Sequence, residues 1–147
     1  MSQKGNPRKL SPQRTLAEDV RRNPRLTPVV GQVLELLGSY ADEHPNTRFR
    51  HVEEFARCRL PDGSAHRAGF VAYTSTGIVL VWKEGFMWRG RGSFALSKAE
   101  AASSSWDEEG VTVLLENSTQ LRVDWLAGSP ERAGAETAFG VFKPLPR

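Results

Sequence analysis

With 147 residues, 39% of them apolar and 25% charged, the chain has the size and composition of one soluble globular domain with a real core. No apolar run approaches the roughly 20 residues of a membrane-crossing helix, no apolar segment follows the basic N-terminus as in a secretory signal, and the lone cysteine, Cys58, excludes an internal disulfide and fits a reducing, cytoplasmic setting. The net charge of +3 is uneven: residues 1–25 carry 7 − 2 = +5 and the remainder 13 − 15 = −2, so the basicity belongs to an N-terminal arm and the body is close to neutral.

Residues 1–12 are polar and broken by Pro7 and Pro12, too poor in apolar surface to offset their ordering entropy, and the arm through residue 25 is expected to be largely disordered. Within it, 12–22 can form a short helix with Ser11 as N-cap, Pro12 at N1, and Leu16 and Val20 on one face. Two apolar residues make a thin stripe, which folds only against something else. A stronger amphipathic helix is predicted over 28–43, with Thr27 as N-cap, Pro28 first, and Val29, Val33, Leu36, Leu37 and Tyr40 in helical spacing; Pro45 ends it.

From Arg48 the pattern turns to strand. A first run covers Val52 to Leu60, followed by the turn Pro61-Asp62-Gly63. Phe70 to Tyr73 and Ile78 to Trp82 make two more, joined by Thr74-Ser75-Thr76-Gly77, and a further strand is expected to start at Phe86-Met87-Trp88. Turns this short force a β-meander. Over 97–104, Ser97 and Glu100 have capping-box spacing for one helical turn, although the short reach to Trp106 favours a continued strand. A hairpin follows, Val111–Leu115 and Leu121–Trp125, in which Leu121, Val123 and Trp125 alternate with Arg122 and Asp124. The last predicted element is a helix over 130–142, capped by Ser129, with Ala135, Ala138, Phe139 and Phe142 turned to the sheet. Gly134 and Gly140 weaken it by roughly 1 kcal/mol each, and Pro144 stops it.

Gly69-Phe-Val-Ala-Tyr-Thr74 followed by Gly77-Ile-Val-Leu-Val81 resembles the core hairpin of bacterial pleckstrin-homology-like (PH-like) and GRAM-like domains. Phe94-Ala-Leu-Ser-Lys98, the 111–125 hairpin and the terminal helix resemble later parts of that family, over roughly residues 50–143. The resemblance implies an α+β fold: a bent antiparallel sheet or partly open barrel of about seven strands, capped by the C-terminal helix and preceded by the N-terminal one. It also implies a non-catalytic binding module for headgroups or peptides. Arg57, Arg59 and Arg67 flank the loop that carries the family's basic headgroup motif, but Gly69 stands where a further basic residue is expected and Asp62 has the opposite charge, so no headgroup site is carried over. If 97–104 were helical, the order of elements would instead resemble a dimeric secretion chaperone, yet Lys98-Ala-Glu-Ala-Ala-Ser lacks the apolar surface that helix needs.

Catalytic chemistry finds little footing. His44, His51 and His66 have no metal-ligand spacing, and Cys58 inside a β run reads as a small core residue rather than a nucleophile. Ser103-Ser-Ser-Trp-Asp107 lacks a nucleophile elbow, Gly90-Arg-Gly92 lacks the rest of a phosphate loop, and Glu53-Glu54 and Asp107-Glu-Glu109 read as solvated turn charges. The chain is expected to be no enzyme and to need no metal or cofactor. Trp88, Arg89 and Arg91, with Lys83 on the preceding strand, can instead grip an anionic partner while the indole stacks; the plainer alternative is a glycine-relaxed bulge with solvated arginines and Trp88 in the core. The arm residues Lys4, Arg8, Lys9, Arg14, Arg21, Arg22 and Arg25 suit electrostatic capture or a solubilising tail. A protein partner is expected first, with a nucleic-acid-binding accessory role as the alternative. An anionic membrane comes third, because Leu10, Leu16 and Val20 are too few apolar anchors.

Overall fold

A computed structural model describes residues 12–74 and 77–126. The arm residues 1–11 and the helix expected over 130–142 lie outside the described residues.

Helix α1 (Pro12–Arg21) and helix α2 (Val30–Glu43) are joined by a 3-10 helix over Pro24–Val29. They precede seven strands: β1 (Phe49–Arg59), β2 (Ala65–Thr74), β3 (Gly77–Glu84), β4 (Gly90–Ser97), β5 (Ala101–Trp106), β6 (Gly110–Leu115) and β7 (Gln120–Trp125). All neighbours pair antiparallel, in the order β4-β3-β2-β1-β7-β6-β5. The fold is α+β.

The sheet buries both faces through its centre. On one face Phe55, Val71, Tyr73, Leu80 and Trp82 share a core with Val111, Val113, Leu121 and Val123 from the other end of the strand order, so the sheet curls around this interior. On the other face Phe49, Val52, Phe70, Ala72, Val79 and Val81 pack under Leu16, Val20, Leu26, Val33 and Leu37 of the helical segment. This explains the unbroken apolar runs of β2 and β3: a strand buried on both sides has no wet face to alternate with.

Residues 12–25, assigned to the arm from sequence, form α1 and the turn into the 3-10 helix. Leu16 and Val20 are fully buried, because α2 and β1 supply the surface that a two-residue stripe cannot bury alone. Asn23 turns the chain: its Oδ1 accepts the Arg25 N–H at 3.1 Å and its Nδ2 donates to the Val52 carbonyl at 2.8 Å. With Asn23 as cap and Pro24 at the start, a 3-10 turn holds the residues where α2 was expected to begin, and Thr27 caps nothing; α2 starts at Val30 without a side-chain cap.

Two further expectations are corrected. Phe86-Met87-Trp88 forms a 3-10 turn rather than the start of a strand; Gly85 (φ +83°) turns the chain away from β3, and β4 resumes opposite it at Gly90. Over 97–104 both alternatives hold in part. The Ser97 N–H donates to Glu100 Oε1 at 2.9 Å and the Ala99 N–H to Ser97 Oγ at 3.1 Å, but this cap serves only the 3-10 turn Lys98–Glu100 before β5 begins at Ala101. The helix required for a chaperone-like order is absent there.

Candidate functional site at the β3–β4 turn

The turn is built on Trp82. Its indole lies flat between β2 and β4: His66 stacks on it with centroids 4.0 Å apart at 18°, and on β4 a Cβ at position 92 would be driven into the indole ring, so glycine is required there. Trp82 Nε1–H donates to Glu84 Oε1 at 2.8 Å, and His66 Nδ1 is 3.9 Å from the same oxygen. Trp82 is itself part of the interior core, which ties the base of the turn to the body of the sheet.

Above this base the chain reverses through Gly85 and Met87, both at positive φ (+83° and +56°), and the Arg89 N–H closes the turn on the Phe86 carbonyl at 3.2 Å. A methionine in the left-handed region is strained, and here the result is that two large apolar side chains face water: Phe86 is 85% and Met87 65% exposed. Sequence reading missed both by assigning them to a strand. The available signal was an apolar Phe-Met-Trp run enclosed by Gly85 and Gly90, an unfavourable setting for a strand interior.

The cations divide into two groups. Lys83 Nζ is 3.7 Å from Glu35 Oε1 and Arg91 Nη2 is 3.1 Å from Glu35 Oε2, so one carboxylate of α2, which the sequence did not single out, holds both. Arg89 is exposed and forms no ion pair among the described residues, and Arg59 and Arg67 at the same end of the sheet are likewise exposed and unpaired among them. The Trp88 side chain lies outside the described residues.

The arm cations are elsewhere. Lys4, Arg8 and Lys9, and the side chain of Arg14, lie outside the described residues. Arg21 and Arg25 are exposed, and Arg22 is 3.4 Å from Asp19. Asp19 is fastened to Phe49 at the start of β1, whereas the β3–β4 turn lies toward Arg59 at its other end, roughly 30 Å away at about 3.3 Å per residue. Arg21 and Arg22 thus do not join Lys83, Arg89 and Arg91 in one patch, and Arg25 lies beside Glu53 and Glu54, midway along β1.

The remaining candidates have structural surroundings. Cys58 is buried in the interior core, and burial pushes its thiol up to about 11, partly offset by a hydrogen bond from the His66 backbone. Glu53, expected to be a solvated turn charge, is buried within β1, where His51 Nε2 lies 3.5 Å from Oε1. Asp107 does stand in a turn: it accepts the Glu109 and Gly110 N–H groups at 2.7 and 3.0 Å. Gly69 cannot carry a side chain, because a Cβ would meet the Val81 carbonyl and come within 2.7 Å of the Phe55 ring. Among the described residues no group of three or more His, Cys, Asp or Glu side chains is placed to hold a metal ion, and no helix is long and apolar enough to cross a membrane.

No family model, no curated protein and no solved structure matches the chain.

Proposed function

We propose that this chain is a non-catalytic binding module of PH-like or GRAM-like architecture that recruits a macromolecular partner, a protein first of all, through the β3–β4 turn. The observation that carries this is the pair of large apolar side chains, Phe86 and Met87, held in water at 85% and 65% exposure on a strained turn. Burying a phenylalanine is worth about 2–3 kcal/mol, and exposed apolar side chains rimmed by cations have the composition of an interface hot spot. The architectural reading is supported by seven antiparallel strands curled around a core shared by both halves of the sheet; in it the segment after Leu126 supplies the capping helix. The basic residues 1–11 add electrostatic capture. The nucleic-acid reading is weakened because Lys83 and Arg91 are already held by Glu35.

Phe86→Ser/Met87→Ser and a chain lacking residues 1–11 are compared with the wild type in quantitative pull-downs, alongside titrations with DNA, RNA and anionic vesicles across a salt series. Protein partners lost with the tip substitutions support the reading. Steeply salt-dependent binding to nucleic acid, indifferent to the tip and abolished by the truncation, overturns it.

A further inference from the structure

We infer that β4 is the seam between two copies of this chain, paired antiparallel along their open edges, with the Phe86–Met87 tip of each seated in a cleft at the far end of the other's β3–β4 hairpin. The inference rests on the reading of this turn as a docking surface and names a partner for it.

The first argument is the edge. β4 ends the strand order, and its register with β3 is unbroken from Gly77↔Ser97 to Glu84↔Gly90. Between Gly90 and Ser97 there is no proline, and Arg91 is the one charged residue. Sheet edges are ordinarily protected by proline, lysine or a bulge, and a regular edge without them is a template for another strand. The opposite end is different: β5 carries a register shift between Ala101 and Ser103, and Ser103 and Ser104 are buried.

The second argument is that the hairpin's two ends are complementary. One end carries the apolar tip with Arg89 beside it. The other opens on a cleft of about 130 Å³ with Tyr40, Ile78 and Leu96 on its apolar side and Thr74, Ser97 and Glu100 on its polar side. A dry cavity of about 150 Å³ takes up benzene, so the cleft has the volume for an aromatic ring or a methionine end. Its apolar side suits Phe86 or Met87, and Glu100 on its polar side, which is exposed, suits Arg89.

A two-fold rotation brings these ends together. In a register centred on Ser93, which sets Gly90 opposite the partner's Leu96, the tip and Arg89 reach the partner's cleft and the partner's Glu100, and the same contacts recur at the other end. Each feature is satisfied twice, as an isologous interface requires. An unrelated extended peptide on the same edge accounts for the open strand but leaves the match of tip to cleft and of Arg89 to Glu100 unused.

Sedimentation velocity of the full chain over about a thousandfold concentration range tests this. The expected result is a reversible monomer–dimer equilibrium. Ser93→Lys, at an exposed position near the two-fold axis where each new charge meets its copy, raises the dissociation constant at least about tenfold, and Phe86→Ser does the same. Arg89→Glu weakens the dimer, and Arg89→Glu/Glu100→Arg restores it to within about threefold. Unchanged circular dichroism and melting temperature show that each variant is folded. A monomer at every concentration overturns the inference, as does a dimer indifferent to Ser93→Lys and Phe86→Ser. A monomer that still loses a protein partner with the tip substitutions overturns the dimer alone and leaves the binding-module reading standing.

Discussion

Asp19 and Arg48 clasp the N-terminal helix to the sheet: Arg48 Nη2 donates to Oδ1 at 2.6 Å and Nε to Oδ2 at 3.2 Å. The Asp19 carboxylate is fully buried while the Arg48 side chain is half exposed, and Oδ2 also accepts the Phe49 N–H at 2.8 Å. The pair tethers α1 to the first residue of β1, and this contact raises the Arg48 guanidinium above its ordinary value, chiefly through the hydrogen bond to Asp19. Removing one partner of a buried pair costs more than the pair contributes. Asp19→Ala, which strands the Phe49 N–H as well, is expected to lower stability by about 2–4 kcal/mol in urea unfolding. Arg48→Ala, which leaves Asp19 the Phe49 N–H and Arg22, should cost less. Equal losses, or none for Asp19→Ala, would contradict the clasp.

That clasp also shows where sequence stops being legible. The positions of Leu16 and Val20 on one helical face were readable, but whether so thin a stripe folds depends on an aspartate finding an arginine 29 positions away, a contact with no local signature. The meander and last hairpin were legible because period-two alternation and short turns are local facts. The β3–β4 turn was misread because Phe-Met-Trp has strand-like composition, and its conformation is set by Gly85 and the register of its flanking strands. Of the candidate site, Lys83, Arg89 and Arg91 do converge on one hairpin, but Glu35, which neutralises two of them, comes from α2 on a different part of the chain.

Gly92 is required by a side chain, not by its own backbone. Any Cβ there collides with the Trp82 indole, which is large, rigid and stacked on His66. Gly92→Ala must therefore push the ring off its position, breaking the 2.8 Å hydrogen bond to Glu84. Overpacking of this kind costs about 1–3 kcal/mol. The tryptophan emission and near-ultraviolet dichroism should change with it, whereas Gly31→Ala, where nothing lies within 4 Å of the added carbon, should leave both signals unaltered. If Gly92→Ala has native spectra and stability, the ring is free to move and the turn lacks the base assigned to it.

Cys58 offers a chemical readout of the interior. Its thiol, pushed up to about 11 by burial, is predominantly protonated at pH 8 and shielded, so alkylation should require unfolding or local opening. We expect native labelling at least about a hundredfold slower than in urea, with a rate that follows the opening equilibrium. The folded-state pKa lies above the free-thiol value near 8.5. The associated stability is therefore fully present below about pH 8.5 and is lost as pH rises toward about 11. Cys58→Ala should remove that alkaline decline from the difference between the two proteins; a decline of equal size in both would assign it to other groups.

Asp107 gives the corresponding acid-side prediction. Arg122 donates to it through Nη1 at 3.0 Å and Nη2 at 3.3 Å, and the same guanidinium reaches Asp124 at 2.7 Å, joining β7 to the β5–β6 turn. Held first by the Arg122 hydrogen bond, the Asp107 carboxyl is lowered to about 2, below the unfolded value near 3.9. The sign follows: the stabilisation is present above about pH 4 and disappears as pH falls from about 4 to about 2. Because the Asp107 side chain is 55% exposed, solvent screening holds its contribution below about 1 kcal/mol. Asp107→Asn removes the charge while keeping an acceptor for the turn N–H groups. In urea unfolding, the gap between wild type and variant should be largest near pH 6 and close as the pH approaches about 2. A gap that stays constant across that range would show that the turn hydrogen bonds, and not the charge pair, account for what Asp107 contributes.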